Sequence, residues 1–300
     1  SVIVANYNYG HFVSAAIESV LDQTVPADEI LVIDDCSTDN SVEVIQRFEG
    51  RIKICINDVN LGIVDNFSKA LSMVDGDYVF FLGADNLARV DYIEKCKYLL
   101  DTNPNCPIVY SDLQLFGPLA RDLANVYNGV MVGSSLEGNW PVYVCEMPEV
   151  ESDYLGQIER GNFIHGSSMY RRTWAEAAGG YVATDMAEDH NLFTRILHKF
   201  GRPIHLKEPI LMYNQHSDTQ ANTALNVRKE LFFWRRRSDE LSGEKLQLIQ
   251  QQNVLSEEKL QLIQQQNVLS EEKRQLAHQY NELNRESVES SERFISHSKH

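Results

Sequence analysis

The first third of the chain alternates short apolar runs with amphipathic stretches. The apolar runs are rich in β-branched and aromatic residues, which is typical of buried parallel strands. They fall at residues 2–4, 30–33 and 52–56 and between Gly76 and Gly83. Between them, apolar residues recur at helical spacing, and the first such set is Phe12, Ala16, Ile17, Val20 and Leu21. Strands that alternate with helices in this way predict an α/β fold with a doubly wound, mainly parallel sheet flanked by helices.

Carboxylates follow two of the predicted strands at the point where each strand ends. Asp34 and Asp35 come after the second strand, and Asp85 comes after the fourth. Because parallel strands share one carboxyl edge, these groups should converge there, where ligands of open α/β sheets collect. Like charges brought together are destabilising unless a cation or a hydrogen-bonding ligand offsets them. The edge is therefore the predicted site; the alternative for Asp85 is a turn or a helix cap.

Composition narrows the possible partners. With 300 residues and 43% hydrophobic content, the chain can form one core of ordinary size plus an appendage. Its net charge of -16 argues against nucleic acid as a partner, and an anionic substrate would need a metal ion or a few placed cations. The five cysteines are odd in number and lack metal-type spacing, which indicates reduced thiols.

The sequence has no signal peptide and no apolar run of membrane-spanning length. We therefore expect a cytoplasmic protein, with peripheral attachment at the inner face of a membrane as the alternative. The chain opens directly on a strand at Ser1 without an initiator methionine, which indicates a domain cut from something longer.

Several motifs occur in a fixed order. They occupy residues 1–8, 32–39, 60–62, 76–82, 179–181, 187–189 and 213–216. In this order they resemble the family 2 glycosyltransferases of the GT-A fold, and collinear motifs are far more specific than any one of them. The resemblance implies an inverting enzyme of cell-surface polysaccharide synthesis. Such an enzyme moves a sugar from a nucleotide-diphosphate donor to a hydroxyl of a glycan or lipid-linked acceptor.

The resemblance also implies which residues hold the donor. They are Ala5, Tyr7, Asn8, Asp34, Asp35, Asn60, Gly62 and Asp85. Asp35 is the first choice for the nucleobase, because a carboxylate can accept a hydrogen bond from a pyrimidine or guanine N–H. Asp34 is the second choice, and its alternative role is to cap its own loop.

The metal site departs from the family pattern. Members usually carry Asp-x-Asp after the fourth strand, whereas this chain has Gly83, Ala84 and Asp85. The resemblance implies Mg²⁺ or Mn²⁺ bound by Asp85 with His216, and the loss of one oxygen ligand should weaken the site. Asn86 is a candidate for a neutral oxygen ligand. A metal-free site, with cationic side chains facing the diphosphate, stays open as an alternative.

On the acceptor side, the resemblance makes Asp189 the general base, with Glu188 beside it. The alternative for both carboxylates is a favourable interaction with the N-terminus of the predicted helix. His165 and Arg171 lie in a segment that resembles the strand and basic turn under the acceptor, and an exposed Arg171 is equally compatible. The region 113–157 fits no motif, and we expect long loops there that set acceptor specificity.

The composition changes toward the end of the chain. We predict a catalytic domain over residues 1–224, a linker helix with an aromatic and basic segment over 225–240, a coiled coil over 241–286 and a disordered tail over 287–300. The coiled coil is indicated by leucines seven residues apart. These are Leu241, Leu248, Leu255, Leu262, Leu269, Leu276 and Leu283.

The leucine repeat leaves two alternatives open, self-association and a solvated single helix, because the seam positions between the leucines are polar and half of the seam is therefore polar. It also permits a different class of function, a non-catalytic nucleotide-sugar or glycan-binding module or a scaffold. The glycine at position 83 supports such a module, whereas the retained Glu188, Asp189 and His216 argue against it.

Overall fold

The computed structural model describes residues 1–134 and 141–216. Within these ranges, ten strands form a mixed sheet that is accompanied by eight helices. None of those helices is both long and apolar enough to cross a membrane. The predicted linker helix, coiled coil and tail, residues 225–300, lie outside the described residues.

The first half of the fold follows the predicted alternation of strands and helices. Its elements are β1 (Val2–Asn6), α1 (Val13–Leu21), β2 (Ile30–Asp34), α2 (Ser41–Gln46), β3 (Lys53–Ile56), α3 (Ile63–Ser72) and β4 (Tyr78–Gly83). Each strand coincides with an apolar run and each helix with an amphipathic stretch. Local pattern was therefore sufficient for this half.

The second half is less regular. Its elements are β5 (Leu87–Ala88), α4 (Tyr92–Thr102), β6 (Ile108–Phe116), α5 (Ala120–Val126), β7 (Val130–Ser134), β8 (Pro141–Cys145), α6 (Tyr154–Arg160), β9 (Met169–Arg171), α7 (Arg172–Ala177), α8 (Glu188–Phe200) and β10 (Ile204–Asn214). The expectation of long loops over residues 113–157 is wrong. That region contains the end of β6, helix α5, the antiparallel pair β7 and β8 and the start of α6.

The sheet order is β3-β2-β1-β4-β9-β6-β10-β5. In addition, β8 pairs with β6, and β7 pairs with β8. The strands β3, β2, β1 and β4 are parallel, as predicted. Beyond β4, the prediction of a mainly parallel sheet is wrong. The short strand β9 runs antiparallel to both β4 and β6, and β5 and β8 are also antiparallel to their neighbours. The crossover rule applies to strands joined by a helix, whereas β9 inserts from much later in the chain.

The core lies along the central strands of the sheet. In β1 and β4, Ile3, Val4, Phe80 and Leu82 are fully buried. Both strands are therefore covered on both faces, so polar residues are confined to their ends. Phe80 also contacts Tyr92 of α4, with ring centroids 4.6 Å apart.

Replacing Phe80 by alanine should destabilise the fold by about 3–5 kcal/mol, because it leaves a cavity at the centre of the sheet. Urea unfolding followed by circular dichroism measures the change. The matched control is Tyr98→Ala, since that ring is 65% exposed; its free energy of unfolding should change by less than about 0.5 kcal/mol. Equal effects of the two variants would contradict the assigned core.

Candidate active site

The parallel registers bring three strand ends to one edge. Asn6 of β1 is opposite Asp34 of β2, and Ala5 is opposite Gly83 of β4. The Ala84 amide donates to the Ala5 carbonyl at 3.1 Å. Asp34, Asp35 and Asp85 therefore follow neighbouring strands at the same edge, as the sequence predicted.

Asp34 is occupied by its own loop. The carboxylate is fully buried and accepts hydrogen bonds from the Ser37 amide at 2.8 Å and the Ser37 hydroxyl at 2.6 Å. The Asn6 amide group donates to it at 2.7 Å. Asp34 thus has the capping role that was the alternative to nucleobase binding. The turn includes Cys36 at a φ of 63°, a conformation that non-glycine residues rarely adopt.

Asp35 ties two donor-side loops together. Its Oδ1 accepts from the Asn57 side chain and the Leu61 amide, both at 2.8 Å, and its Oδ2 accepts from the Gly62 amide at 2.9 Å. The Asn60 Oδ1 also accepts from the Gly62 amide, at 3.0 Å. A carboxylate oxygen can accept two hydrogen bonds, so Oδ2 retains room for a ligand N–H.

Asn57, Asn66 and Lys69 extend this network and were missed from the sequence. The Asn57 Nδ2 also donates to the Asn66 Oδ1 at 2.8 Å, and the Lys69 ammonium donates to the Asn57 Oδ1 at 2.7 Å. Asn57 and Asn66 are nearly buried. A signal was present in the sequence, because Asn66 is a polar residue on the inward face of α3. The network fixes the orientation of Asp35.

The opening loop supplies backbone and one exposed ring. The Asn8 amide donates to the Ser37 hydroxyl at 2.8 Å, and the Asn8 Oδ1 accepts from the Thr38 amide at 2.8 Å. Asn8 itself adopts a φ of 58°. Tyr7 is 46% exposed, so its ring is accessible to a ligand at this edge. Ala5 contributes its backbone to the pairing with β4.

Asp85, which follows β4, contacts His216, which follows β10. The His216 Nε2 lies 3.2 Å from the Asp85 Oδ2, and both side chains are nearly buried. The His216 ring contacts Tyr9 and Phe12, with centroids 5.4 and 4.7 Å away. Burial and the Asp85 charge raise the pKa of Tyr9. The structure therefore brings together the two predicted metal ligands, 131 residues apart in the chain.

These two residues fit a shared cation. In octahedral coordination neighbouring ligands lie about 3 Å apart, close to the observed spacing. The His216 Nδ1 is buried and has no hydrogen-bond partner in the described part of the chain. Across residues 1–134 and 141–216, no group of three or more His, Cys, Asp or Glu side chains could hold a metal. Water and a ligand would therefore complete the shell. The Asn86 oxygen does not point there, because it accepts from the Asn214 amide at 3.0 Å.

Glu188 and Asp189 open helix α8, as predicted. Asp189 accepts from the His190 amide at 2.6 Å, and its Oδ2 lies 3.4 Å from the Asn162 Nδ2. A Cβ added at Gly166 would come within 2.9 Å of that Oδ2, so the glycine permits a close approach. Burial raises the pKa of Glu188. A carboxylate held beside a loop in this way can serve as a base.

Arg195 anchors the glycine-rich motif to the same helix. Its guanidinium donates to the Gly180 carbonyl at 2.6 Å and to the Ala178 carbonyl, and its Nε donates to the Asn191 Oδ1 at 3.0 Å. Gly179 and Gly180 have positive φ angles of 98° and 62°. The loop before Asp189 is thus held by backbone contacts.

The His165 ring contacts residues of the fold itself, and its predicted acceptor-side role stays a prediction. Its Nε2 accepts from the Ser111 amide at 3.2 Å, and its Nδ1 lies 3.4 Å from the Ser168 hydroxyl. Burial lowers the pKa of His165 to about 3, so the ring stays neutral. Its contacts tie the loop to β6, which is a structural role.

Arg171 is the last residue of β9. It pairs with Tyr78 at the start of β4, whereas Asp85 follows the end of that strand. Its guanidinium donates to the Cys106 and Leu100 carbonyls at 2.9 and 2.7 Å, and lies 5.1 Å from the Trp174 ring. Arg171 therefore lies at the opposite end of β4 from Asp85, with its guanidinium bound to backbone carbonyls.

Comparison with known proteins places the sequence among sugar transferases. Residues 1–179 match the family described as glycosyl transferase family 2. An uncharacterised glycosyltransferase of Haemophilus influenzae is 35% identical over 244 residues, which cover 77% of this chain and 72% of that protein. The hyaluronan synthase of Pasteurella multocida is 27% identical over 241 residues, but they span only 22% of its length.

A third relative is the Escherichia coli UDP-Glc:alpha-D-GlcNAc-diphosphoundecaprenol beta-1,3-glucosyltransferase WfgD, 38% identical over 95 residues. These cover 31% of this chain and 38% of that enzyme.

Solved structures share the fold. S. aureus TarS 1-349 in complex with UDP-GlcNAc matches with a TM-score of 0.53 at 17% identity, covering 77% of this chain and 64% of TarS. The mannosyltransferase PcManGT from Pyrobaculum calidifontis, in complex with GDP-Man and Mn²⁺, matches with a TM-score of 0.51 at 17% identity. That match covers 80% of this chain and 63% of the mannosyltransferase.

His165→Gln should reduce the loss of stability in acid. The folded pKa of about 3 lies below the ordinary value of 6.5, so the unfolded state binds a proton first and stability falls as the pH drops below about 7. Glutamine keeps an acceptor for the Ser111 amide but does not titrate. Between pH 7 and pH 5, the free energy of unfolding should fall by about 1–2 kcal/mol less in the variant than in the wild type. Parallel losses in urea titrations would contradict a buried neutral imidazole.

Proposed function

Since the chain belongs to glycosyl transferase family 2, we propose that it is an inverting glycosyltransferase, which moves a hexosyl or deoxyhexosyl group from a nucleotide-diphosphate donor to a hydroxyl of a glycan or lipid-linked acceptor. The observation that carries the proposal is the shared edge of β1, β2 and β4. Asp35 follows β2 and Asp85 follows β4 at this edge, one on each side of β1, and this arrangement supports binding of a nucleotide diphosphate along the edge.

We assign the nucleoside to the Asp35 side of this edge. The free acceptor position on Asp35 Oδ2 suits a base N–H, and the exposed ring of Tyr7 offers a surface for a base or ribose. Asn8, Asn60 and Gly62 shape the pocket through the two loops that Asp34 and Asp35 hold. A uridine or guanosine donor is consistent with the complexes of TarS and PcManGT.

We assign the diphosphate to Asp85 and His216. These side chains would hold Mg²⁺ or Mn²⁺, and PcManGT was solved with Mn²⁺. When bound there, a divalent cation would offset the negative charge of the diphosphate.

Asp189 is the proposed general base. It removes the proton of the acceptor hydroxyl as that oxygen attacks the anomeric carbon from the face opposite the nucleotide. The carbon–oxygen bond to the diphosphate breaks, its electron pair leaves with the nucleoside diphosphate, and the anomeric configuration inverts. Asn162 and Gly166 hold the base in place, and Glu188 is the neighbour that contacts the acceptor.

The acceptor and location follow from the relatives and the charge. WfgD acts on a diphosphoundecaprenol-linked sugar, so a lipid-linked acceptor at the inner face of a membrane is part of the proposal. The net charge of -16 again disfavours nucleic acid. Self-association through the leucine repeat of residues 241–286 is also proposed, and rests on the spacing alone.

The correct donor should raise the melting temperature by about 5 °C at saturating concentration with Mn²⁺, since it binds the folded state only. A thermal-shift screen of UDP, GDP, dTDP and CMP sugars, each with Mn²⁺ or with EDTA, measures this. Asp85→Ala should reduce the Mn²⁺-dependent part of the shift. The absence of any shift and of any sugar transfer would contradict the proposed function.

Asp189→Asn should lower kcat for transfer by about 10²–10⁴-fold, because the amide cannot take a proton. Donor binding should be retained, since Asp189 belongs to the acceptor side. The turnover number and the donor dissociation constant are measured on the same preparation, with Asp122→Asn on α5 as the matched control. Unchanged turnover would remove Asp189 from the role of base.

A further inference from the structure

The space that a side chain at Gly83 would occupy is filled by side chains of the turn that follows β4. A Cβ added at Gly83 would meet the Asp85 Oδ1 at 2.8 Å and the Asn86 Nδ2 at 2.9 Å. The Asn86 amide closes the turn by donating to the Gly83 carbonyl at 2.9 Å. The Asn86 side chain is therefore folded back over the glycine, at the end of β4.

The orientation of the Asn86 side chain is fixed by one hydrogen bond. Its Oδ1 accepts from the Asn214 amide at 3.0 Å, so the Nδ2 is the group that faces Gly83. Asn86 is only 5% exposed, yet its Nδ2 donates to no group in the described part of the chain. An NH₂ group that is held in a fixed direction at the edge where Asp85 lies, and that no described residue accepts from, is available to an acceptor atom of a ligand.

We infer that Asn86 is a donor-binding residue, whose NH₂ group contacts an oxygen of the diphosphate–ribose part of the nucleotide from the space above Gly83. This assignment rests on the proposed function. It places a neutral hydrogen-bond donor next to Asp85, where a side chain at position 83 would otherwise stand.

The charge balance of the site follows from this exchange. A second carboxylate beside Asp85 would repel the diphosphate unless a divalent cation bridged them, whereas the NH₂ group attracts the same oxygens. The His216 Nε2 lies 3.2 Å from the Asp85 Oδ2, on the same side of the site. The site of this chain should therefore bind a nucleotide with less dependence on the cation than it would with a carboxylate in place of Asn86.

Asn86→Asp tests this assignment, because it keeps the acceptor for the Asn214 amide and replaces only the NH₂ group by a charged oxygen. We would titrate UDP and GDP by calorimetry, each in EDTA and in Mn²⁺, and compare the two dissociation constants. In EDTA the variant should bind the preferred nucleotide about tenfold or more weakly than the wild type. In Mn²⁺ most of the loss should disappear, so the EDTA-to-Mn²⁺ ratio rises by about tenfold.

The matched control is Asn103→Asp, which adds the same charge at the exposed end of α4. Asn103 contacts Arg171, which lies at the opposite end of β4 from Asp85. The ratio of this control should equal that of the wild type. If Asn86→Asp does not fold, Asn86→Ser is the second variant. It removes the NH₂ group and leaves Gly83 and Asp85 unchanged, so nucleotide binding in EDTA should weaken by a similar factor.

The outcomes separate the two levels of the proposal. If the wild type binds UDP or GDP but Asn86→Asp leaves the ratio unchanged within about twofold, the role of Asn86 is overturned and the proposed function stands. If the wild type binds neither nucleotide in either buffer, both are overturned. A rise in the ratio for Asn86→Asp alone supports the assignment.

Discussion

The arrangement of the site depends on the pairing of β1 with two parallel neighbours. Strand β1 is hydrogen-bonded to β2 on one side and to β4 on the other. In these registers the three strands end at the same edge of the sheet, at Asn6, Asp34 and Gly83. Because these strands are buried on both faces, polar chemistry is possible only where they end. A shift of one register step would move Asp35 away from Asp85 and place a core residue at the edge.

The carboxylates at this edge have different tasks, although the sequence presents them alike. Asp34 accepts hydrogen bonds from Ser37 within its own turn. Asp35 holds a neighbouring loop, and its Oδ2 can accept one more hydrogen bond. Asp85 instead contacts a histidine that arrives from the far end of the described chain. The division reduces the repulsion expected of three converging acids, because backbone and side-chain donors offset two of them. It also prepares the loops before any ligand binds.

Local pattern predicted the first half of the fold and the start of α8, since each element there is encoded within a short window. The pairing of β9 between β4 and β6 could not be predicted in this way, because it depends on strands far apart in the chain. The same limit explains Arg171. Its motif gave the order along the chain but not which end of β4 it would meet. The contacts of His165 could not be predicted from its motif either, because a histidine in a site-like segment can turn inward to satisfy a backbone amide.

The consequence of a glycine at position 83, where a carboxylate was expected, becomes clear only from the fold. From the sequence, the glycine was a missing carboxylate and Asn86 a candidate oxygen ligand. In the fold, the glycine leaves room for a side chain whose oxygen is already used by Asn214. At this edge, the NH₂ group of Asn86 occupies the space in which a carboxylate at position 83 would stand. Since an amide nitrogen cannot bind a hard cation, this difference moves the balance of the site from the metal toward the nucleotide itself.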